Sequence, residues 1–115
     1  MSLEILAVGV NHTTAPVELR ERLATATDAV AVLLPRMVAD LGLAEAMVLS
    51  TCNRVEIYAL TERWAQTGDR VLEFLAGERG VPAGQLRQSS FVRGAGDGVR
   101  HIFRVAASLE SMVVG

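Results

Sequence analysis

The chain has 115 residues, half of them apolar, and its thirteen acidic and eleven basic residues leave a net charge of −2, every basic residue being arginine. Without lysine there is neither a Schiff-base amine nor a complete Walker-A phosphate loop, and Cys52, His12 and His101 are too few for a four-ligand structural zinc site, so no metal is expected. The length fits one domain, the lone thiol points to a reducing compartment such as the cytoplasm, and charged residues interrupt every run long enough to span a membrane. This total is not that of a dedicated nucleic-acid binder, yet the charge is unevenly spread. Residues 1–50 hold three arginines against six acids, residues 51–86 four against five, and residues 87–115 four against two. Any phosphate contact should therefore favour the last third.

Leu3 to Val10 is an apolar, β-branched-rich run ending at Asn11-His12-Thr13-Thr14, which predicts a buried strand and a loop that His12 helps to order through local hydrogen bonds. Pro16 suits a first helical turn, and Val17, Leu19 and Leu23 belong to a short amphipathic helix. From Asp28 the positions Val30, Leu33, Leu34, Met37, Val38 and Leu41 share one helical face. Pro35 inside that stripe predicts a kink or the start of a second helix, because it lacks an N–H and clashes with the preceding turn. Ala46 to Thr51 and Val55 to Leu60 are strand-like and separated only by Cys52, Asn53 and Arg54. They predict an antiparallel hairpin with Asn53 in the turn and Cys52 at or beside the hairpin's end.

A helix over about Thr67 to Arg79, with Val71, Leu72, Phe74 and Leu75 inward, is capped by Gly80 and stopped by Pro82. Ser89 to Arg93 predicts a short strand, and the turn Gly94 to Gly98 leads into a last helix that Asp97 can cap. That helix places Val99, Ile102, Phe103, Ala106 and Val113 on an apolar face and His101, Arg104, Ser108 and Ser111 in a polar stripe. Four strands with helices between them predict an α+β fold, a small antiparallel sheet packed against helices, of ferredoxin-like type.

Cys52 is the candidate nucleophile. It stands in a polar run from Ser50 to Arg54 that ends an apolar strand, and a neighbouring guanidinium favours the thiolate, the form that attacks carbonyls. The plain alternative is a small buried hydrophobe. Arg54 either tunes the thiol or clamps a substrate carboxylate through two parallel hydrogen bonds. His101 is a candidate acid or base, or simply a helix-surface histidine. The Gly94–Gly98 turn is placed like a dinucleotide fingerprint, but Val99 occupies the third glycine position and Asp97 would oppose a pyrophosphate. These residues leave open a noncatalytic ligand-binding or regulatory module, and a protein-interaction domain using the apolar face of the last helix.

Three strings carry a resemblance. Val8-Gly9-Val10-Asn11-His12-Thr13-Thr14-Ala15-Pro16 and the residues up to Leu23 resemble the opening of the glutamyl-tRNA reductases. Leu49-Ser50-Thr51-Cys52-Asn53-Arg54-Val55-Glu56 resembles the nucleophile motif of that family, and His101 to Gly115 its next block, with Ile102 and Glu110 as mild substitutions. The resemblance implies an oxidoreductase of tetrapyrrole synthesis, the route to porphyrins and heme. In it a cysteine thiolate takes glutamate from glutamyl-tRNA as a thioester, which NADPH reduces to glutamate-1-semialdehyde. It implies Cys52 as nucleophile, Thr51, Asn53, Arg54 and Ser111 as substrate-binding groups, and His101 as a residue needed for activity. Residues 1–115 are then expected to be the N-terminal catalytic domain, with the NADPH-binding and homodimer-forming domains of the family absent and reduction beyond this segment alone.

Overall fold

The computed structural model describes residues 2–114, with side chains up to Leu109. In chain order the elements are β1 (Glu4–Asn11), α1 (Val17–Leu23), α2 (Thr27–Leu41), β2 (Glu45–Ser50), β3 (Arg54–Thr61), α3 (Trp64–Arg79), α4 (Ala83–Gln88), β4 (Phe91–Gly94) and α5 (Ala95–Val114). The four strands form one sheet in the order β2-β3-β1-β4, every neighbouring pair antiparallel. Each crossover, β1 to β2 and β3 to β4, returns with one strand left between, which is the split β-α-β arrangement of the ferredoxin-like sandwich.

Strand side chains alternate between faces, and that alternation divides the molecule into two layers. Leu6, Val8 and Val10 of β1 and Val55, Ile57 and Ala59 of β3 pack with Leu19, Leu23, Leu33, Met37, Leu72 and Leu75 from the helices of the crossovers. Fully burying an aliphatic side chain of this size stabilises the fold by about 1.5–3 kcal/mol, so this layer holds the sheet to α1, α2 and α3. The opposite face is covered by α5 over a smaller cluster of Ala7, Tyr58 and Phe91, with Leu49 and Ile102 beside it. Gly9 in β1 faces Glu56 in β3, and a Cβ there would lie 2.2 Å from the Val55 carbonyl oxygen. The two central strands approach too closely there for any side chain.

The predicted strands and the hairpin are present within two residues of their expected limits, and Gly80 closes α3 in the left-handed conformation with φ 63°. Five expectations are corrected, one of them the turn over residues 94–98, which is helical from Ala95 onward. Of the two outcomes expected of Pro35, the start of a second helix is overturned: the helix over residues 27–41 continues through it, and Pro35 and Ala31, whose carbonyl loses its partner, are both exposed, so water can satisfy it. His12 makes no hydrogen bond among the described residues. Its loop is ordered instead by Asn11, whose Oδ1 accepts from the Thr13 N–H at 2.9 Å and the Thr13 hydroxyl at 2.6 Å. Asp97 does not cap α5, which begins two residues earlier, and pairs with Arg100 at 2.8 Å in the first turn.

The last correction concerns the face that α5 buries. Val99 is 39% and Phe103 71% exposed, and Ala106 is exposed, whereas Val105 is buried and His101 and Ile102 are half-buried. The helix is rotated so that an imidazole meets the sheet, where a fully buried carboxylate, Glu56, needs partners. Leaving such a charge short of partners costs more than burying one Phe returns. Val113 lies outside the described side chains.

Candidate active site

β2 and β3 meet at a turn that Thr51 builds. Its N–H donates to the Arg54 carbonyl at 2.8 Å, and its Oγ1 accepts the N–H groups of Asn53 and Arg54 at 3.2 Å each. This is a hydroxyl-closed turn, and it leaves the Thr51 proton available to donate. Cys52 is the chain's single thiol and stands exposed at that turn. A residue not singled out in the sequence holds it there: Arg20 of α1 donates from Nη1 to the Cys52 carbonyl at 2.9 Å. The Nε of the same guanidinium is buried without a partner among the described residues.

Two residues further on, the strand period puts Arg54, Glu56 and Tyr58 on the α5 side of the sheet. Arg54 Nη1 donates to Glu56 Oε2 at 2.9 Å, the arginine side chain being 10% and the glutamate side chain 0% exposed. The other oxygen, Oε1, accepts the Tyr58 hydroxyl at 2.7 Å and meets His101 Nε2 at 2.6 Å. The His101 ring also lies against Phe91, with centroids 4.5 Å apart. Burial, then the hydrogen bond to Glu56 and its charge, push the Tyr58 phenol well above the ordinary tyrosine range. The network therefore keeps Tyr58 protonated as a donor.

With Glu56 as a carboxylate, which only accepts, the proton of the Glu56–His101 bond belongs to Nε2, and Nδ1 is the ring atom left without a partner among the described residues. Arg54 spends one of its N–H donors on Glu56, and its other side-chain donors make no hydrogen bond within the described residues. The structure thus brings Arg54 and His101 onto opposite oxygens of one carboxylate, and Thr51, Cys52 and Asn53 into one turn. No hydrogen bond joins Cys52 Sγ to His101 among the described residues, and Ser111 lies outside the described side chains. Glu56 and Tyr58 were readable in principle: a charge two residues from another charge, inside an apolar strand, marks a paired buried face.

No group of three or more His, Cys, Asp or Glu side chains among the described residues is placed to hold a metal ion. The described residues also do not fit a nicotinamide dinucleotide at the glycine-rich junction of β4 and α5. The Trp64 indole covers Gly94 so closely that a Cβ there would sit 1.8 Å from Cδ2, and the Asp97 carboxylate occupies the first turn of α5. No helix of the described residues is long and apolar enough to cross a membrane.

The fold and this constellation define an α+β domain that displays one exposed thiol at a turn two residues along the chain from an arginine that shares a buried glutamate with a histidine. The chain belongs to the glutamyl-tRNA reductase family: the family's profile, described as Glutamyl-tRNAGlu reductase, N-terminal domain, matches residues 8–115. Among similar proteins, the glutamyl-tRNA reductase of Rubrobacter xylanophilus is 45% identical over 111 residues, covering 96% of this chain and 26% of that protein. The chloroplastic glutamyl-tRNA reductase 1 of Hordeum vulgare is 40% identical over 96% of this chain and 21% of its own length. Among solved structures, glutamyl-tRNA reductase from Methanopyrus kandleri superposes with a TM-score of 0.64 at 34% identity, covering 94% of this chain and 23% of that one. The chain thus spans about a quarter of the length of the curated bacterial relatives it matches.

Proposed function

We propose that this chain performs the acyl-transfer half of glutamyl-tRNA reduction. The Cys52 thiolate attacks the ester carbonyl that joins glutamate to the tRNA 3′ end; a carbon–sulfur bond forms, the carbon–oxygen ester bond breaks, and the tRNA hydroxyl leaves with a proton. The observation that supports this best is the placement of the single thiol, exposed at a turn two residues from a guanidinium whose orientation Glu56 fixes. A held fork with unspent donors suits a carboxylate, here the side chain of the glutamyl group. Thr51 and Asn53 at the same turn, and Ser111 further along, are the remaining candidates for binding it. His101, its Nε2 committed to Glu56, is the proposed proton carrier through Nδ1, in the way a histidine oriented by a carboxylate serves other nucleophiles.

Residues 1–115 would then be a catalytic, glutamyl-tRNA-binding domain. The NADPH site of the complete enzyme and the contacts of a homodimer are assigned to the length of the relatives that this chain does not match. A single exposed thiol suits the reducing cytoplasm.

Incubation with glutamyl-tRNA, acid quenching and peptide mapping test the acyl transfer. A glutamyl thioester on Cys52, cleaved by neutral hydroxylamine and missing in Cys52→Ser, is expected. Equal capture by Cys52→Ser would remove Cys52 from the role.

A further inference from the structure

Beside His101, on the flank of α5, lies a cavity of about 300 Å³ lined by Arg93, Asp97, Arg100, His101 and Arg104. The helix supplies Asp97, Arg100, His101 and Arg104 at i, i+3, i+4 and i+7, one face of about two turns, and β4 supplies Arg93. Asp97 pairs with Arg100 at 2.8 Å. Arg93 and Arg104 are exposed and have no ion pair among the described residues; Arg93 rests over the Phe91 ring, its guanidinium carbon 5.9 Å from the centroid. Three guanidiniums against one carboxylate leave the cavity positive in a molecule of net charge −2. Of the four arginines in the last third of the chain, the other one, Arg87, is spent on Asp69 and Glu73 at 2.7 Å each.

We infer that this cavity binds backbone phosphates of the RNA that carries the acyl group, next to its 3′ end. This rests on the acyl-transfer reading above. Free guanidiniums recognise phosphate through paired hydrogen bonds, and a local positive patch on a negative protein steers an anionic ligand to one side. His101 forms one wall of the cavity while its Nε2 holds the carboxylate that orients Arg54. An RNA seated on Arg93 and Arg104 therefore lies alongside the imidazole that serves its departing oxygen, while the glutamyl group extends towards Arg54.

The test is the affinity of the protein for an uncharged tRNA acceptor-stem hairpin, read by fluorescence anisotropy across a range of salt concentrations. Arg93→Gln and Arg104→Gln should each weaken binding roughly tenfold, the worth of one charge-assisted contact, and lower the salt slope by about 0.7–0.9. Arg70→Gln, on α3 across the sheet, should bind as the parent does. Unchanged affinity and slope in both cavity variants would overturn the inference. So would NADPH displacing the hairpin while the same two variants lose NADPH instead of RNA, which would make this a nucleotide-phosphate site. Acylation of Cys52 by glutamyl-tRNA, followed in parallel, separates the two ideas. Acylation without arginine-dependent RNA binding sinks the cavity alone, and arginine-dependent binding without acylation sinks the acyl-transfer reading and leaves the cavity standing.

Discussion

Glu56 holds the site together at the scale of single residues. Its side chain is wholly buried and accepts from Arg54, Tyr58 and His101, which come from two strand positions on either side of it and from a helix 45 residues away. A buried carboxylate with fewer partners would be costly, and a buried Arg54 without its carboxylate equally so. Glu56→Gln keeps the shape and removes the charge, so Arg54 is left uncompensated. We expect the variant to lose about 3–5 kcal/mol of unfolding free energy in urea. A loss below about 1 kcal/mol would mean that the pair contributes no more than an exposed one. Cys52, Arg54 and His101 are legible as candidates in the sequence because their types announce chemistry. Glu56 passed as one more strand residue, since its importance lies in what it touches.

Among the elements, those set by local periodicity were readable and those set by distant polar partners were not. The apolar runs of β1, β2 and β3 and the stripes of α2 and α3 predict themselves, because burial on one face dictates their period. α5 misled: counting apolar residues turns Phe103 inward, but the helix answers to Glu56 on β3, and no pattern within α5 records that. α4 has only six residues and was missed altogether; it is tied to α3 by Arg87 bridging Asp69 and Glu73. The junction of β4 and α5 was also misread. Glycine density suggested a turn over residues 94–98, whereas the chain bends at Ala95, in the left-handed region at φ 53°, and is helical from there on. At the turn between β2 and β3, Thr51 and Arg20 fix the conformation, and only the first lies within the motif itself.

The whole molecule has two unlike layers, an apolar one that carries the stability and a thinner one beneath α5 that carries a charged network. That division has a consequence for pH. Tyr58 is the only tyrosine, and its phenol is raised by burial and by Glu56 above the value of about 10 that it has in an unfolded chain. A group raised in this way favours the folded state fully below about pH 10, and that contribution falls away as pH climbs beyond the unfolded value. Tyrosinate absorbance and loss of the helical circular-dichroism signal should therefore appear together above pH 10. Ionisation of Tyr58 while the helical signal persists would contradict a closed network.

The fate of labelled glutamate tests the central claim most directly. The protein is incubated with radiolabelled glutamyl-tRNA in the presence of NADPH, and label is followed on Cys52, in free glutamate and in glutamate-1-semialdehyde. Label is expected on Cys52 and, after hydrolysis, in free glutamate, with none in the aldehyde. Aldehyde formation, or intact glutamyl-tRNA with Cys52 unlabelled, would contradict a domain that takes the acyl group and leaves its reduction to another.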